Sequence, residues 1–473
     1  MNNAVVTVSP REKVVDDPIG TGRRHPGFAG RIGVARADIT PPVGVFARTW
    51  GAAKSNVALG IHRPLTLTVL TLQDTAESQP LVLVDTDLGW WGSISFEHKF
   101  REHMLQELHL PAANYFFSCI QTHSVPPICE PELQWEGGDL LKSYIERLFT
   151  TVAQSTREAL AGAQTAILEW HTGRCTLASN RDLPYGNRVV CGFNPAIPAD
   201  DTLLFGRVAT PAGKILATIV DYACHPTTLG WDNQLISPDY VGATREIIQQ
   251  NTGGAPSMFL QGASGELAPR YQYVGDTAVA DAHGREVGYA ALATLAAMQP
   301  VANELVFDRV VESGAPLGVW KQQLHPLSRK LQASLKIVEL PLKGLPSAEE
   351  LKRRYESTTD PTMKERLRRK LRLREGLGDA ASFPLEVWVW RVGESFIIGS
   401  AGEPYSWMQT QLRRRFPSNA IAWINCLNGA VGYLPPADSY DKEIYQVWQS
   451  PFERGSLELL EAAIEKTVQE LLD

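Results

Sequence analysis

Five short motifs set polar, metal-capable or glycine-rich residues directly after apolar runs of the chain. They are Gln121-Thr122-His123-Ser124, Asn180-Arg181, Tyr222-Ala223-Cys224-His225-Pro226, Gln261 through Arg270, and Gly402-Glu403-Pro404. A sixth, Gly429 to Tyr433 followed by Leu434-Pro435-Pro436, is a glycine-rich turn ending on an aromatic. Positions just past strand ends are where open α/β sheets present their sites. Imidazole, carboxylate and phenol oxygen or nitrogen atoms can hold a metal ion or move a proton. Taken singly, each signal has a plainer reading. A lone His after a strand is more often structural, Glu403 could cap a helix, and Tyr433 could be a buried, hydrogen-bonded aromatic. His123, His225, Glu403 and Tyr433 lie too far apart along the chain to show the local spacing of a zinc motif. Asp85, Asp87 and Asp239 also sit at strand ends, where capping a helix (Asp239) or anchoring a loop (Asp85, Asp87) accounts for them. Ser124 and Ser264 stand close by, but no general base can be assigned to either.

The elements that must carry these residues read as an irregular alternation of strands and helices. Ile32 to Ala35, Leu65 to Leu72, Leu81 to Val84 and Tyr115 to Ile120 are apolar runs that suit strands buried on both faces. Phe96 to Leu108, Leu140 to Leu160, Val241 to Gln250 and Asp281 to Met298 have helical spacing. Leu203 to Val208 and Ile215 to Ala223 flank Pro211-Ala212-Gly213, a hairpin signal. Leu385 to Trp390 and Phe396 to Gly399 are further strands. The pattern predicts an α/β protein (mixed α+β) with mixed sheets covered by helices. Residues 1–30 read as a flexible tail and 31–473 as one domain. Within it, about 346–376 forms a charged insertion whose Glu and Lys offsets predict a solvated helical hairpin with Leu351, Leu367 and Leu371 for contacts.

Composition narrows the class of function. Of 473 residues, 44% are hydrophobic and 21% charged, which excludes disordered, collagen-like and disulfide-scaffold chains. With 45 basic against 52 acidic side chains, the net charge of −7 recommends neither nucleic acid nor an anionic membrane as a partner. The six Cys include no C-x-x-C pair, the usage of a reducing compartment. Arg23-Arg24 is followed by His25-Pro26-Gly27 rather than an apolar stretch, and no later run is long enough to cross a bilayer. The expectation is a cytoplasmic protein with a small-molecule substrate and an unassigned oligomeric state.

Gly33 through Pro42, Thr122-His123-Ser124, Cys224-His225-Pro226-Thr227, Leu235 through Tyr240, Gly265-Glu266-Leu267-Ala268-Pro269 and Gly432-Tyr433-Leu434-Pro435 together resemble the neutral/alkaline, non-lysosomal ceramidase family. The motifs occur in that family's order and span about residues 31–460. The resemblance implies a ceramidase-like catalytic domain with a zinc ion held by two His, one Glu and one Tyr. Position by position, His225, Glu403 and Tyr433 match three ligands, while the first ligand His is replaced by Gln121. His123 matches an active-site His that handles protons, Arg181 a substrate-site Arg, and Tyr445 a second active-site Tyr.

Two departures stand out. Gln121 offers zinc only a neutral amide oxygen. The family's Gly-Asp-x-Ser-Pro reads Gly265 to Pro269 here, with Ala268 at the Ser position, so no covalent route can pass through it. The resemblance implies an export signal and a C-terminal sandwich domain in ceramidases; the expectation is that this protein carries neither and that the chain after Tyr445 is mainly one amphipathic helix. The expectation is a zinc-dependent amidohydrolase that uses a metal-activated water on an amide or ester, with a substrate other than membrane ceramide. Two rivals are a catalytically silent binding protein on the same fold, and a lyase or isomerase acting on a polar metabolite.

Overall fold

The structure, a computed structural model, describes residues 25–130 and 133–473. The expected features of residues 1–24 therefore lie outside the described residues. Two sheets stack face to face, each covered on its outer side by helices. The larger runs in the order Ser257–Gln261, Ile215–Tyr222, Thr202–Ala209, Gln164–Arg174, Gly27–Asp38, Thr66–Gln73, Leu81–Thr86, Tyr115–Cys119. The smaller runs Leu331–Pro341, Ser382–Val392, Ser395–Ser400, Ala420–Ile424. Each sheet is antiparallel inside and parallel at an edge, so it is mixed as expected.

The continuous apolar runs follow from this layering. In Thr66–Gln73, Leu67 and Val69 face the helices Ile94–Leu108 and Gly138–Ala161, while Leu70 and Leu72 face the second sheet. Alternate residues of Leu81–Thr86 and Tyr115–Cys119 divide in the same way, because side chains on a strand change face at every step. The inter-sheet core centres on Phe116 and Trp390, stacked with ring centroids 3.5 Å apart. Such a pair adds roughly 0.5–1.5 kcal/mol beyond its buried area. Trp388 and Trp390 pass their indole N–H to the carbonyls of Ala112 and Ala113, so neither buries an unpaired donor. The helices Tyr240–Asn251 and Thr277–Ala296 cover one end of the large sheet. Ser406–Arg415 and Ser456–Leu472 cover the small sheet, the latter being the expected C-terminal amphipathic helix.

The first strand begins at Gly27, ahead of the boundary expected at residue 31, because Phe28 is fully buried between the sheets. The strand Gln164–Arg174 and the hairpin of Asn303–Glu312 with Pro316–Leu324 are additional to the expected elements. The charged insertion is a helical hairpin, Ala348–Ser357 and Pro361–Leu377, with Ser347 and Asp360 capping the two N-termini. Each cap contributes about 1 kcal/mol. One face of the hairpin is not solvated. Leu351, Glu365, Leu367 and Leu377 are buried, and its arginines stack on tryptophans of the domain: Arg366 on Trp448, Arg369 on Trp90, Arg368 on Trp135. Offsets within a helix do not reveal which rings a guanidinium will meet. No described helix is long and apolar enough to cross a membrane.

Candidate functional site

Loops leaving five strands of the parallel edges converge on one place. Gln121 and His123 follow Tyr115–Cys119, His225 follows Ile215–Tyr222, and Ser264 to Glu266 follow Ser257–Gln261. From the smaller sheet come Glu403, after Ser395–Ser400, and Asn425–Cys426, after Ala420–Ile424. The loops are tied across the sheets: Asn425 N–H donates to the Gln261 carbonyl at 2.8 Å, and the Asn425 amide reaches Ser264 Oγ at 3.2 Å.

Glu403 and Tyr433 are direct partners in a short parallel pair, Gly402–Pro404 with Gly432–Leu434. Gly432 makes the pairing possible, since its φ of 95° is a conformation that a side chain would strain. Gly265 allows the same segment to close over the loop, because a Cβ there would stand 3.0 Å from the Glu403 carbonyl. His225 Nδ1 lies 2.7 Å from the Ser264 carbonyl and 3.2 Å from that of Leu267, which assigns the proton to Nδ1. Its Nε2 then faces Glu403 Oε2 at 3.1 Å. Burial, then the charge of Arg181, lowers the His225 pKa. A neutral ring thus turns a lone pair toward a carboxylate oxygen, and two acceptors so placed need a cation or a proton between them. Donors sharing a tetrahedral zinc stand roughly 3.3 Å apart, so the pair has suitable spacing, and a backbone-anchored Nδ1–H is the usual support of a ligating His.

The remaining donors are less committed to an ion. Tyr433 OH accepts from Arg181 Nη2 at 3.3 Å, and burial followed by the Glu403 charge keeps the phenol protonated, with its pKa well above the ordinary value. Gln121 sits at φ 65°, and its Nε2 points at Cys426 Sγ, 3.0 Å away, while its Oε1 lies 3.4 Å from the Asn425 amide. Among the described residues, no group of three or more His, Cys, Asp or Glu side chains is placed to hold a metal. The two acceptors that face each other are thus His225 Nε2 and Glu403 Oε2, while Tyr433 OH is turned to Arg181 and the Gln121 amide to Cys426 and Asn425.

A cavity of about 1000 Å³ opens beside this pair, with His123, Arg181, Tyr433 and Tyr445 in its wall. The His123 and Tyr433 rings stand 6.4 and 6.3 Å from the His225 ring. His123 Nδ1 is held 3.0 Å from the Gln121 carbonyl, and the ring packs between Trp50 and Trp90, at 4.9 and 4.8 Å. Burial, then the charges of His225, Arg369 and Arg181, pull its pKa well below the ordinary imidazole value. It is therefore neutral, with the proton on Nδ1 and the lone pair on Nε2. Arg181 donates through Nη2 to the Gly265 carbonyl at 2.7 Å, and its own backbone N–H is tied to the Glu266 carbonyl at 2.9 Å. Tyr445 opens the short helix Tyr445–Gln449, its ring 5.7 Å from that of Tyr433.

The other strand-end residues take structural parts. Ser264 Oγ is held by the Gln261 amide at 2.7 Å, and Ser124 Oγ by the Asn233 amide at 3.0 Å, with no imidazole on either. Ala268 is buried in a short strand opposite Ser179. Glu266 caps the helix Ser406–Arg415, both of its oxygens 3.0 Å from the Ser406 N–H. Asp239 caps Tyr240–Asn251. Asp85 and Asp87 pair with Arg245 of that helix at 2.9 and 3.2 Å, so they anchor a helix to the sheet rather than a loop. Sequence reasoning missed the aromatic wall of Trp50, Trp231 and Tyr273, and the arrival of Arg366 at the cavity. Spacing along the chain carries no signal for either. All six Cys are unpaired and only Cys191 is more than marginally exposed.

No family model matches the chain, and no curated protein does. Solved structures do. Neutral ceramidase from Pseudomonas aeruginosa superposes with a TM-score of 0.65 at 16% identity, over 94% of this chain and 74% of that one. A ceramidase complexed with C2 gives 0.62 at 16%, over 93% and 74%. The chain has the ceramidase fold.

Proposed function

We propose that the protein hydrolyses an amide, or a related ester, at the His225–Glu403–Tyr433 centre with the help of a divalent ion, zinc being the best match to these donors. The observation that carries this reading is the pair of facing acceptors, His225 Nε2 and Glu403 Oε2, 3.1 Å apart beside a large cavity. An ion bound there would lower the pKa of water and polarise the scissile carbonyl. His123 takes a proton from the attacking water at Nε2 and returns it to the departing nitrogen as the C–N bond breaks and the C–O bond forms. Arg181 and Tyr445, the first fixed on the Gly265 carbonyl, steady the carbonyl oxygen as it gains charge. No serine is needed, in keeping with Ala268. The partner in this reading is a small molecule, and six unpaired thiols favour a cytoplasmic address.

Elemental analysis and a chelator series test the reading. Purified protein should carry close to one transition-metal ion per chain. It should release amine from N-acyl amides, lose that activity on chelation and regain it with zinc. Protein that holds no metal, and takes up none on titration, leaves the hydrolase reading without its centre and favours a binding protein on the same fold.

Gln121→His should tighten metal binding by about 10–100-fold, the usual weight of a change close to an ion. An unchanged affinity would mean that position 121 faces Cys426 and Asn425 rather than the ion, as the amide does now.

A further inference from the structure

Charge is distributed unevenly around the cavity. The chain carries −7 overall, yet the cavity wall holds Arg181, Arg188, Arg366 and Lys442 against one acid, Glu443. Buried guanidiniums elsewhere have carboxylates: Arg101 with Glu386, Arg207 with Glu169, Arg245 with Asp85. None of the four cavity cations has one within ion-pair distance among the described residues. The three arginines rest on rings instead, Arg366 on Trp448 at 4.1 Å, Arg188 on Tyr185 at 5.9 Å and Arg181 on Tyr433 at 5.6 Å. Arg181 is only 4% exposed and is held by the Gly265 carbonyl, with the Asp182 carboxylate close enough to feel its charge, which leaves Arg188, Arg366 and Lys442 as the cations open to a ligand.

Another part of the wall is aromatic. Trp50, Trp231 and Tyr273 form a mutual cluster with ring centroids 5.7–6.2 Å apart. Such a surface suits an acyl chain or an aromatic body. A neutral amide would gain nothing from this local excess of positive charge, an anionic one would be drawn to it and a cationic one repelled.

Resting on the hydrolase reading above, we propose that the substrate is an anionic amide of the N-acyl amino acid class. Its carboxylate meets Arg366, Lys442 and Arg188, and its acyl chain lies on the Trp50–Trp231–Tyr273 wall. An N-acyl amino acid is the simplest molecule that sets an acyl chain, a scissile amide and a carboxylate in that order.

The test compares N-decanoyl-glycine with neutral N-decanoyl-glycinamide. Binding is followed by tryptophan fluorescence and turnover separately by amine release. The acid should bind about tenfold to a hundredfold tighter, the worth of a charge-assisted hydrogen bond, and the preference should shrink as salt rises. The double variant Arg366→Gln/Lys442→Gln should lose most of the preference. Arg366→Lys, which keeps the charge, should retain much of it and checks that the hairpin still folds. Equal affinities in the wild type, or a preference unaltered in the double variant, overturn the proposal. If glycinamide is hydrolysed as well as the acid, the anionic class falls while the hydrolase reading stands. If the acid binds preferentially and neither amide is cleaved, the hydrolase reading falls and the anion site stands.

Discussion

His225→Ala protein should purify without metal and without turnover. His225 supplies one of only two strong donors, and a site reduced to one carboxylate and weak oxygens cannot compete with water for the ion. Loss of the ion removes several kcal/mol of carbonyl polarisation, so activity should fall by about 10³-fold or more. Glu403→Ala should behave alike, since its Oε2 is the other member of the 3.1 Å pair. The two variants differ in their effect on stability. His225 Nδ1 also serves the carbonyls of Ser264 and Leu267, and removing that donor leaves buried acceptors worth about 1–3 kcal/mol. Among the described residues, the Glu403 side chain makes no such backbone contact. A lowered Tm is therefore expected chiefly for His225→Ala, and metal content must be read on protein that is still folded. A folded His225→Ala chain holding a full equivalent of metal would refute the assignment.

For His123→Ala the expected outcome is a fall in kcat of about 10²–10⁴-fold with metal content unchanged. The ring does not belong to the donor pair. Its Nδ1 is held by the Gln121 carbonyl, and its Nε2 is left to exchange protons across the cavity. KM should move little, because the aromatic wall and the cavity cations remain. Since Trp50 and Trp90 pack on this ring, truncation leaves a gap between them, and Tm has to be recorded with the kinetics. Wild-type turnover in a folded, metal-loaded variant would remove His123 from the chemistry. A rise in KM at constant kcat would instead make it a wall residue.

Much of the architecture was legible from local rules. Apolar runs such as Leu81 to Val84 read as strands because burial on both faces erases the polar alternation, and the two-sheet packing buries both faces here. Helical periods placed Ile94–Leu108, Gly138–Ala161, Tyr240–Asn251 and Thr277–Ala296 to within a few residues, since amphipathic spacing is a property of the helix itself. The polar motifs at strand ends were visible for the same reason. That His225, Glu403 and Tyr433 belong together was not readable from spacing. Residues 225 and 403 come from different sheets, and only the stacking of those sheets sets Nε2 against Oε2. Likewise, the charge run of 346–376 shows a helical hairpin, but not that its arginines close on Trp448 and Trp90. The amino-acid sequence by itself determined the elements and the stock of reactive side chains, because both depend on neighbours a few residues apart. The tertiary structure alone decided which of those side chains share a cavity, which cations lack a counter-charge, and which of Gln121's possible partners it meets. Those contacts join residues up to about 300 positions apart, and no local preference encodes them.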